Sequence, residues 1–377
     1  MRILHVMKIV GIAGAENYLI HALPALQKEG IEITFLSLTP NKQKGSESEF
    51  LNQLKDEGIQ SEVLYYTTFG LSTQRKVRTI IKEGNYDLIH THLIHADFLL
   101  ALTRKLSTRK FRLISTKHGH DEKYMNSYGF NPAGKKTLTY HYAAKLAEKE
   151  IYRSYAISEG LRKLFIAHKI SPTDQIDTIP YGFDFHNENV TVDPSIRFAD
   201  HQLLLVGRFT ELKGHLDAIS ALKLLRPKFE SLKLVFVGSG YFEKEVKNFV
   251  RNQGLENLVI FKGYQPNSIQ YMASSDVVLI PSKAEGFGLV LLEAYSVKKP
   301  VVIYDVPALN EHVINGKTGL IARPYLIEDL SDKIECLLRD KVRSHEMGES
   351  GYRLLKSNYT LKTMVTKTID FYRKSLS

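Results

Sequence analysis

Four charged residues in two short stretches stand where chemistry could be done. "VGRFTELKG" places Arg208 just past a strand-like run and Lys213 five residues on, in the following loop. A guanidinium offers phosphate oxygens a planar fork and an ammonium offers a compact charge, so the two together suit a diphosphate. "DVVLIPSKAEGFGLVLLEA" has the same layout of strand, loop, glycine turn and helix, with Glu285 before the turn and Glu293 eight positions later. The helix start at Gly286–Leu289 would aim its unpaired N–H groups and its dipole at the same place, which makes a site for two phosphates. For the carboxylates the spacing leaves an ordinary reading open: an acid near a helix start, then a solvated helical glutamate.

Two glycine turns join a strand to a helix, "GIAGAE" from Gly11 to Glu16 and "GSGYFE" from Gly238 to Glu243. Such turns present backbone N–H groups to an anion. Neither completes G-x-G-x-x-G, and the strand after the first, "IEITFLSL", ends without an acid for a ribose, so an NAD-linked oxidoreductase is a weak alternative. Gly238 and Gly240 read equally well as tight strand–helix packing. Gly14 is better placed for function, because a missing side chain lets a substrate approach the backbone.

His90, His92, His95, His118 and His120 lie close together in sequence. No H-E-x-x-H or cysteine pair accompanies them, so no metal is expected. His90 and His92 alternate on a strand and share a face, as packed core or cleft histidines do. No D-x-D is present to hold a diphosphate through a cation, and no residue stands out as a nucleophile.

The elements that must position these groups alternate short strand-like runs with longer helical ones, which argues α/β with mainly parallel sheets. "RILHVMKI", "IEITFLSL", "YDLIHTH", "FRLISTKH", "RSYAIS" and "DTIPYG" supply a first sheet. "FDFHNENVTVDPSIRFAD" then breaks the periodicity and reads as a linker. "HQLLLVGRF", "LKLVFVGSG", "NLVIFKGY", "DVVLIPS" and "KPVVIYD" restart the pattern. The expectation is two doubly wound domains, residues 1–185 and 196–360, with ligands at the carboxyl ends of the strands. The helical stretch 361–377 could pack on either domain. A length of 377 residues and 43% hydrophobic content suit two such cores. No apolar run nears the ~18 residues of a membrane span, and the first strand begins too early for a signal peptide. Cys336 is the single cysteine, which excludes an intrachain disulfide and suits a reducing cytoplasm. The net charge of +10 suggests a polyanionic partner, with basic clusters mainly in the first half. Helix-spaced lysines and arginines among Leu, Ile and Tyr could lie on an anionic membrane surface or be solvated faces; no nucleic-acid module is visible.

"GRFTELKG" followed by "IPSKAEGFGLVLLEAYSVKKPVV" resembles the donor site of retaining nucleotide-sugar glycosyltransferases of family 4. The resemblance covers nearly the whole chain: "GIAGAENYLIHALPAL" is similar to the family's N-terminal loop and helix, "AISEGLRKLF" and "IPYGFD" to its inter-domain stretch, and "NGKTGLIA" to a late loop. It implies a GT-B fold, two facing Rossmann-like domains with an inter-domain cleft, the first binding acceptor and the second the donor. It also implies roles for residues. Glu285 would meet the donor's sugar hydroxyls and Glu293 the nucleotide ribose. Gly286, Phe287, Gly288 and Leu289 would bring backbone to sugar and phosphates, and Arg208 and Lys213 would stabilise the departing nucleoside diphosphate. Tyr264, in "FKGYQP", falls in the base-contacting loop, and His118 would contact the sugar near the reacting carbon. Front-side displacement without a metal or other cofactor would be the mechanism, from a UDP- or GDP-sugar to a glycan or lipid-linked acceptor, as in cell-surface polysaccharide synthesis.

Two carboxylates could instead serve glycoside hydrolysis, but a sugar alcohol leaves only when protonated, whereas a nucleoside diphosphate leaves as an anion and needs cations, which this sequence offers. A non-catalytic sugar-nucleotide-binding partner is a further alternative. The chain departs from the family in three places. Ala13-Gly14-Ala15-Glu16 replaces the usual Gly-Gly-Ala-Glu, Lys298 stands where a glycine is usual, and "YDVPALNE" lacks the glycines that often precede its glutamate.

Overall fold

Thirteen β-strands and fourteen α-helices form two parallel sheets and their covering layers in the computed structural model, which describes residues 1–12, 14–108, 110–129, 134–185, 187, 190 and 192–377. The first sheet contains β1 (Arg2–Lys8), β2 (Glu32–Pro40), β3 (Gln60–Tyr66), β4 (Leu88–His92), β5 (Leu113–Lys117), β6 (Arg153–Ala156) and β7 (Ile176–Thr178). Their order is β3-β2-β1-β4-β5-β6-β7. Helices α1 (Gly14–Lys28), α2 (Ser48–Asp56), α3 (Leu71–Gly84), α4 (Leu93–Lys105), α5 (Glu122–Tyr128), α6 (Leu138–Glu148) and α7 (Glu159–Ala167) follow in the same half of the chain.

The second sheet contains β8 (His201–Val206), β9 (Leu232–Val237), β10 (Val259–Phe261), β11 (Val277–Ile280), β12 (Val301–Tyr304) and β13 (Leu320–Ala322), in the order β10-β9-β8-β11-β12-β13. Its helices are α8 (His215–Leu225), α9 (Glu243–Asn252), α10 (Ser268–Ala273), α11 (Leu289–Ser296), α12 (Ile327–Arg339) and α13 (Lys341–Asn358). The final helix, α14 (Leu361–Leu376), returns to the first sheet. The chain thus divides into one unit of Met1–Tyr124, Asn131–Phe183 and Thr360–Ser377 and another of Met125–Phe130 and Asp184–Tyr359. Both sheets are of the doubly wound type, and in each the strand order reverses beside the first strand, at β1/β4 and at β8/β11.

Two strands, β3 and β13, escape the periodicity. β3 is an edge strand whose residues alternate between exposed and half-buried before Leu64, so it lacks an apolar run, and β13 has only three residues.

The two faces of the first sheet differ in chemistry. On one, Leu4, Val6, Ile89 and Leu113 pack with Leu99 and Leu100 of α4 in a dry core. The register pairs His5 with His90 and His92 with Thr116, which puts these four on the opposite face, where Tyr372 of α14 covers them. His5, His90 and His92 are all buried, so their polar groups must satisfy one another.

Candidate active site

In the second unit the loops that leave β8, β9 and β11 lock together through backbone. Gly207 N–H donates to Val237 O at 3.0 Å, Phe209 N–H to Ser239 O at 3.0 Å and Phe242 N–H to Phe209 O at 3.1 Å. A Cβ on Gly238 would fall 2.0 Å from the Gly207 carbonyl oxygen and one on Gly240 2.4 Å from that of Phe209, so this glycine turn serves packing. The next loop is held as tightly: a Cβ on Gly214 would sit 2.1 Å from Pro281 O, and Lys283 N–H donates to Leu212 O at 2.7 Å. Arg208 therefore sits in a turn held by these bonds, exposed between half-buried Gly207 and buried Phe209 at the carboxyl end of β8.

Lys213 ends a short 3₁₀ turn, its aliphatic stem along Gly207 and its Nζ 2.6 Å from Glu285 Oε1. Phosphate-binding cation and sugar-binding carboxylate, as the resemblance assigns them, are thus each other's partners. The pair is largely shielded, with 22% and 12% of the two side chains exposed. Gly288 caps α11 in the left-handed region at φ 93°, and a Cβ there would strike Leu309 Cδ1 at 2.6 Å. Phe287 turns its ring inward, 4.3 Å from the His312 ring, and anchors the turn. Leu289 opens the helix.

Glu293, one turn into α11, is half-buried, and loss of water raises its carboxyl from 4.5 to about 7. Tyr264, 75% exposed, follows Gly263, whose carbonyl accepts from Gly238 N–H, which puts the residue at the end of the sheet beside β9. Arg208, Lys213, Tyr264, Glu285 and the α11 start all lie at the carboxyl edge of one sheet, where doubly wound folds bind ligands. The sequence reading missed Lys283. Its Nζ lies 3.3 Å from Asp217 Oδ1 and over the Tyr325 ring, and it lines a cavity of about 270 Å³ with Gly214, His215 and Phe242. Only its place two residues before Glu285 could have signalled it.

Two departures from the family pattern meet the same backbone demand. Lys298 takes φ 56° and Ala308 φ 64°, the region glycine adopts without strain. Lys298 forms the left-handed end of α11, with Lys298 N–H donating to Tyr295 O and Lys299 N–H to Ala294 O, both at 3.0 Å. Its side chain reaches Glu349 at 2.9 Å and the Tyr352 ring.

In the first unit Gly14 is exposed at the start of α1, while Ala13 lies outside the described residues. The histidines separate into groups. His118, just past β5, has Nδ1 2.7 Å from Tyr181 Oη and Nε2 2.9 Å from His92 Nδ1. His92 Nε2 lies 3.0 Å from His5 Nδ1, and Tyr372 Oη lies 3.5 Å from His5 Nε2 and 2.9 Å from His90 Nδ1. His90 Nε2 completes the file on Thr116 Oγ1 at 2.7 Å. Burial pushes His5 and His118 down to about 3, and His90 and His92 fall well below the ordinary imidazole value for the same first reason. The rings are therefore neutral. Each has one donor and one acceptor nitrogen, so His118, His92 and His5, linked ring to ring, must donate in one sense, while the Tyr372 hydroxyl, which can accept from both sides, leaves His90 free to take either.

His5, His90 and His92 offer ligand atoms within 4.8 Å of one another, a geometry that could hold an ion, but these nitrogens already satisfy one another or neighbouring hydroxyls. His95 stands apart, exposed on α4. His120 packs among Tyr124, Tyr140, Phe165 and His168. His5, Thr116, Tyr181 and Tyr372 are the members that sequence reasoning did not single out; for His5, a lone histidine inside the apolar strand "ILHVM" was the available signal. Under the opposite face, Lys117 is buried between Asp97 Oδ2 at 2.8 Å and Glu148 Oε2 at 2.9 Å, which pins the end of β5 just before His118. A cavity of about 680 Å³, lined by Arg2, Glu32 and Gln60 among others, lies at the amino-terminal edge of the sheet, away from these groups.

Residues 193–354 match the profile of the glycosyl transferases group 1, and residues 12–187 that of Glycosyltransferase Family 4. The chain belongs to the family 4 glycosyltransferases. It is a glycosyltransferase with two Rossmann-like domains, the GT-B fold. It is 23% identical over 323 residues to N-acetyl-alpha-D-glucosaminyl L-malate synthase of Bacillus anthracis, covering 83% of this chain and 81% of that protein. It is 28% identical over 226 residues to D-inositol 3-phosphate glycosyltransferase of Paenarthrobacter aurescens, covering 56% of this chain and 55% of the relative. Its fold is similar to that of the Anabaena protein HepE, solved in complex with UDP and glucose, with a TM-score of 0.82 at 22% identity over 99% of this chain and 100% of the other. Among the described residues no helix is long and apolar enough to cross a membrane.

Proposed function

We propose that this glycosyltransferase moves a sugar from a nucleoside-diphosphate sugar to a glycan or lipid-linked acceptor. It would do so with retention of configuration and without a metal or other cofactor, in the cytoplasm and in the synthesis of a cell-surface polysaccharide. The observation that carries the donor half is the convergence of Arg208, the Lys213–Glu285 pair and the α11 start on the carboxyl edge of one sheet. The UDP-bound structure of HepE supports a UDP-sugar donor, with a GDP-sugar as the alternative.

In this reading Arg208 and Lys213 face the diphosphate and stabilise the negative charge that grows as the glycosidic C–O bond breaks. Preorganised cations aimed at developing charge are worth several kcal/mol in a site that excludes water. Glu285, held by Lys213, accepts hydrogen bonds from the sugar hydroxyls. Glu293 accepts from the ribose, whose hydroxyls replace the water lost on burial, and Tyr264 stacks on the base. The acceptor hydroxyl bonds to the anomeric carbon on the face the diphosphate leaves, and its proton passes to the departing phosphate oxygen. Both ring nitrogens of His118 are engaged, so its contact with the sugar would be made through its main-chain carbonyl, or require Tyr181 to yield.

The test is incubation with UDP- and GDP-sugars, a glycan acceptor and EDTA, followed by NMR of the anomeric proton. Nucleoside diphosphate release with a retained anomer, lost in Glu285→Gln, is the expected result. An inverted product, or turnover abolished by EDTA, would overturn the mechanism.

A further inference from the structure

Helix α6 presents an apolar stripe to solvent. Its inner face, His141, Ala144, Ala147 and Glu148, is buried and packs against α4. Its outer face carries Leu138, Tyr142 and Leu146, exposed by 66%, 61% and 51%. At 3.6 residues per turn these positions, four apart, form one line along the helix.

The charge on this face has one sign. Lys145 and Lys149 lie on the same side of the helix as the stripe, and Lys135 and Lys136 precede it, both exposed. The acids nearby in sequence turn elsewhere, Glu148 to buried Lys117 and Glu150 to Arg104. A protein partner matched to the apolar line alone would not need this rim. An anionic bilayer needs both: apolar side chains and tyrosine enter the headgroup boundary while lysines meet phosphates.

We propose that the outer face of α6 is a docking surface for an anionic lipid membrane. This stands independently of the donor chemistry, since it uses none of the residues assigned to the donor site.

The test is co-sedimentation of the full chain with phosphatidylglycerol-containing vesicles and with pure phosphatidylcholine vesicles, at low and high salt. Binding to the anionic vesicles is expected, falling at high salt, and reduced about 10-fold or more by Lys145→Glu with Lys149→Glu. Leu138→Ser with Tyr142→Ser should reduce it similarly, and both sites are exposed enough to leave the fold intact. Thermal unfolding with a nucleoside diphosphate, unchanged in these variants, keeps a folding defect or a failed donor reading distinguishable from a failed surface. Absence of binding to anionic vesicles, or binding that neither pair of changes reduces, would overturn the proposal. So would sedimentation velocity showing that the apolar changes dissolve a dimer of this chain instead.

Discussion

Lys213 Nζ and Glu285 Oε1 lie 2.6 Å apart, joining a loop after β8 to a loop after β11. The desolvation cost of a largely shielded pair offsets most of its attraction, so its net contribution to folding is small, about 1 kcal/mol. The pair therefore has more to do with placing two functional groups than with holding the sheet. Glu285→Gln should lower the melting temperature by only a few degrees while reducing transfer about 100-fold or more. Combined with Lys213→Ala, the losses in kcat/KM should fall short of the sum of the single effects, because each change disables the other group. Purely additive losses in the double-mutant cycle would contradict this.

Arg208 is exposed on a rigid turn, so its removal should leave the fold unaltered. Arg208→Ala should reduce kcat by roughly 100- to 1000-fold, in the range lost with a single preorganised donor. Arg208→Lys should recover part of it, since charge is kept and the fork is not. Steady-state kinetics with the melting temperature as control decide the matter; equal activity of Arg208→Ala and wild type would remove Arg208 from the site.

Glu293 carries its proton to about 7 because burial disfavours the charged form. Between 4.5 and 7 the folded state thus binds more protons than the unfolded, and this residue's contribution to stability falls as pH rises through that window. Above pH 7 the ionised carboxylate is a standing cost of about 3 kcal/mol. Glu293→Gln should raise the melting temperature at pH 8 and weaken nucleoside diphosphate binding. Wild-type affinity should improve as pH rises through 7, since ribose hydroxyls need the carboxylate as acceptor. Calorimetric titration at pH 6 and 8 checks both; a pH-independent affinity would exclude the ribose contact.

The histidine file predicts acid sensitivity. His5 and His118 titrate at about 3 in the folded chain, and His90 and His92 well below the ordinary value, so the unfolded state binds more protons below 6.5. Stability should then be lost as pH falls from 6.5 to 5, the four histidines outweighing the opposite contribution of Glu293, with a net slope of about two protons. Tyr372→Phe removes the hydroxyl between His5 and His90 and should cost about 1–3 kcal/mol by leaving buried nitrogens unpartnered. Denaturant unfolding across that pH range provides the measurement, and a flat profile would contradict it.

Much of this was legible in the sequence for a simple reason. Parallel strands buried on both faces read as apolar runs, and the loops at their carboxyl ends carry glycines and charges. Arg208, Lys213, Glu285 and Glu293 could be picked out that way. The pairing of Lys213 with Glu285 could not, because it depends on two loops 72 residues apart meeting in space. Nor could His5 be linked to Tyr372 across 367 positions. Strand β3 was hidden because an edge strand need not be apolar. Lys298 and Ala308 looked like losses of a glycine, yet the backbone keeps the glycine conformation there and strains the residue instead.

That strain gives a further expectation. A left-handed conformation costs a side-chain-bearing residue roughly 1–2 kcal/mol. Ala308→Gly should accordingly raise the stability of the chain or leave it unaltered, despite the added freedom of the unfolded state. Lys298→Gly should gain less, because it also loses the contact with Glu349. A clear drop in melting temperature for Ala308→Gly would contradict this account.

The most direct test of the central claim is thermal unfolding of the wild type and of Arg208→Ala with Lys213→Ala, in EDTA, against UDP, GDP, ADP and NAD. A ligand at 100 times its Kd adds about 2.7 kcal/mol to the native state. The account predicts that UDP or GDP raises the wild-type melting temperature in EDTA and that the double variant loses the shift. No response to any diphosphate, or a response to NAD alone, would contradict it.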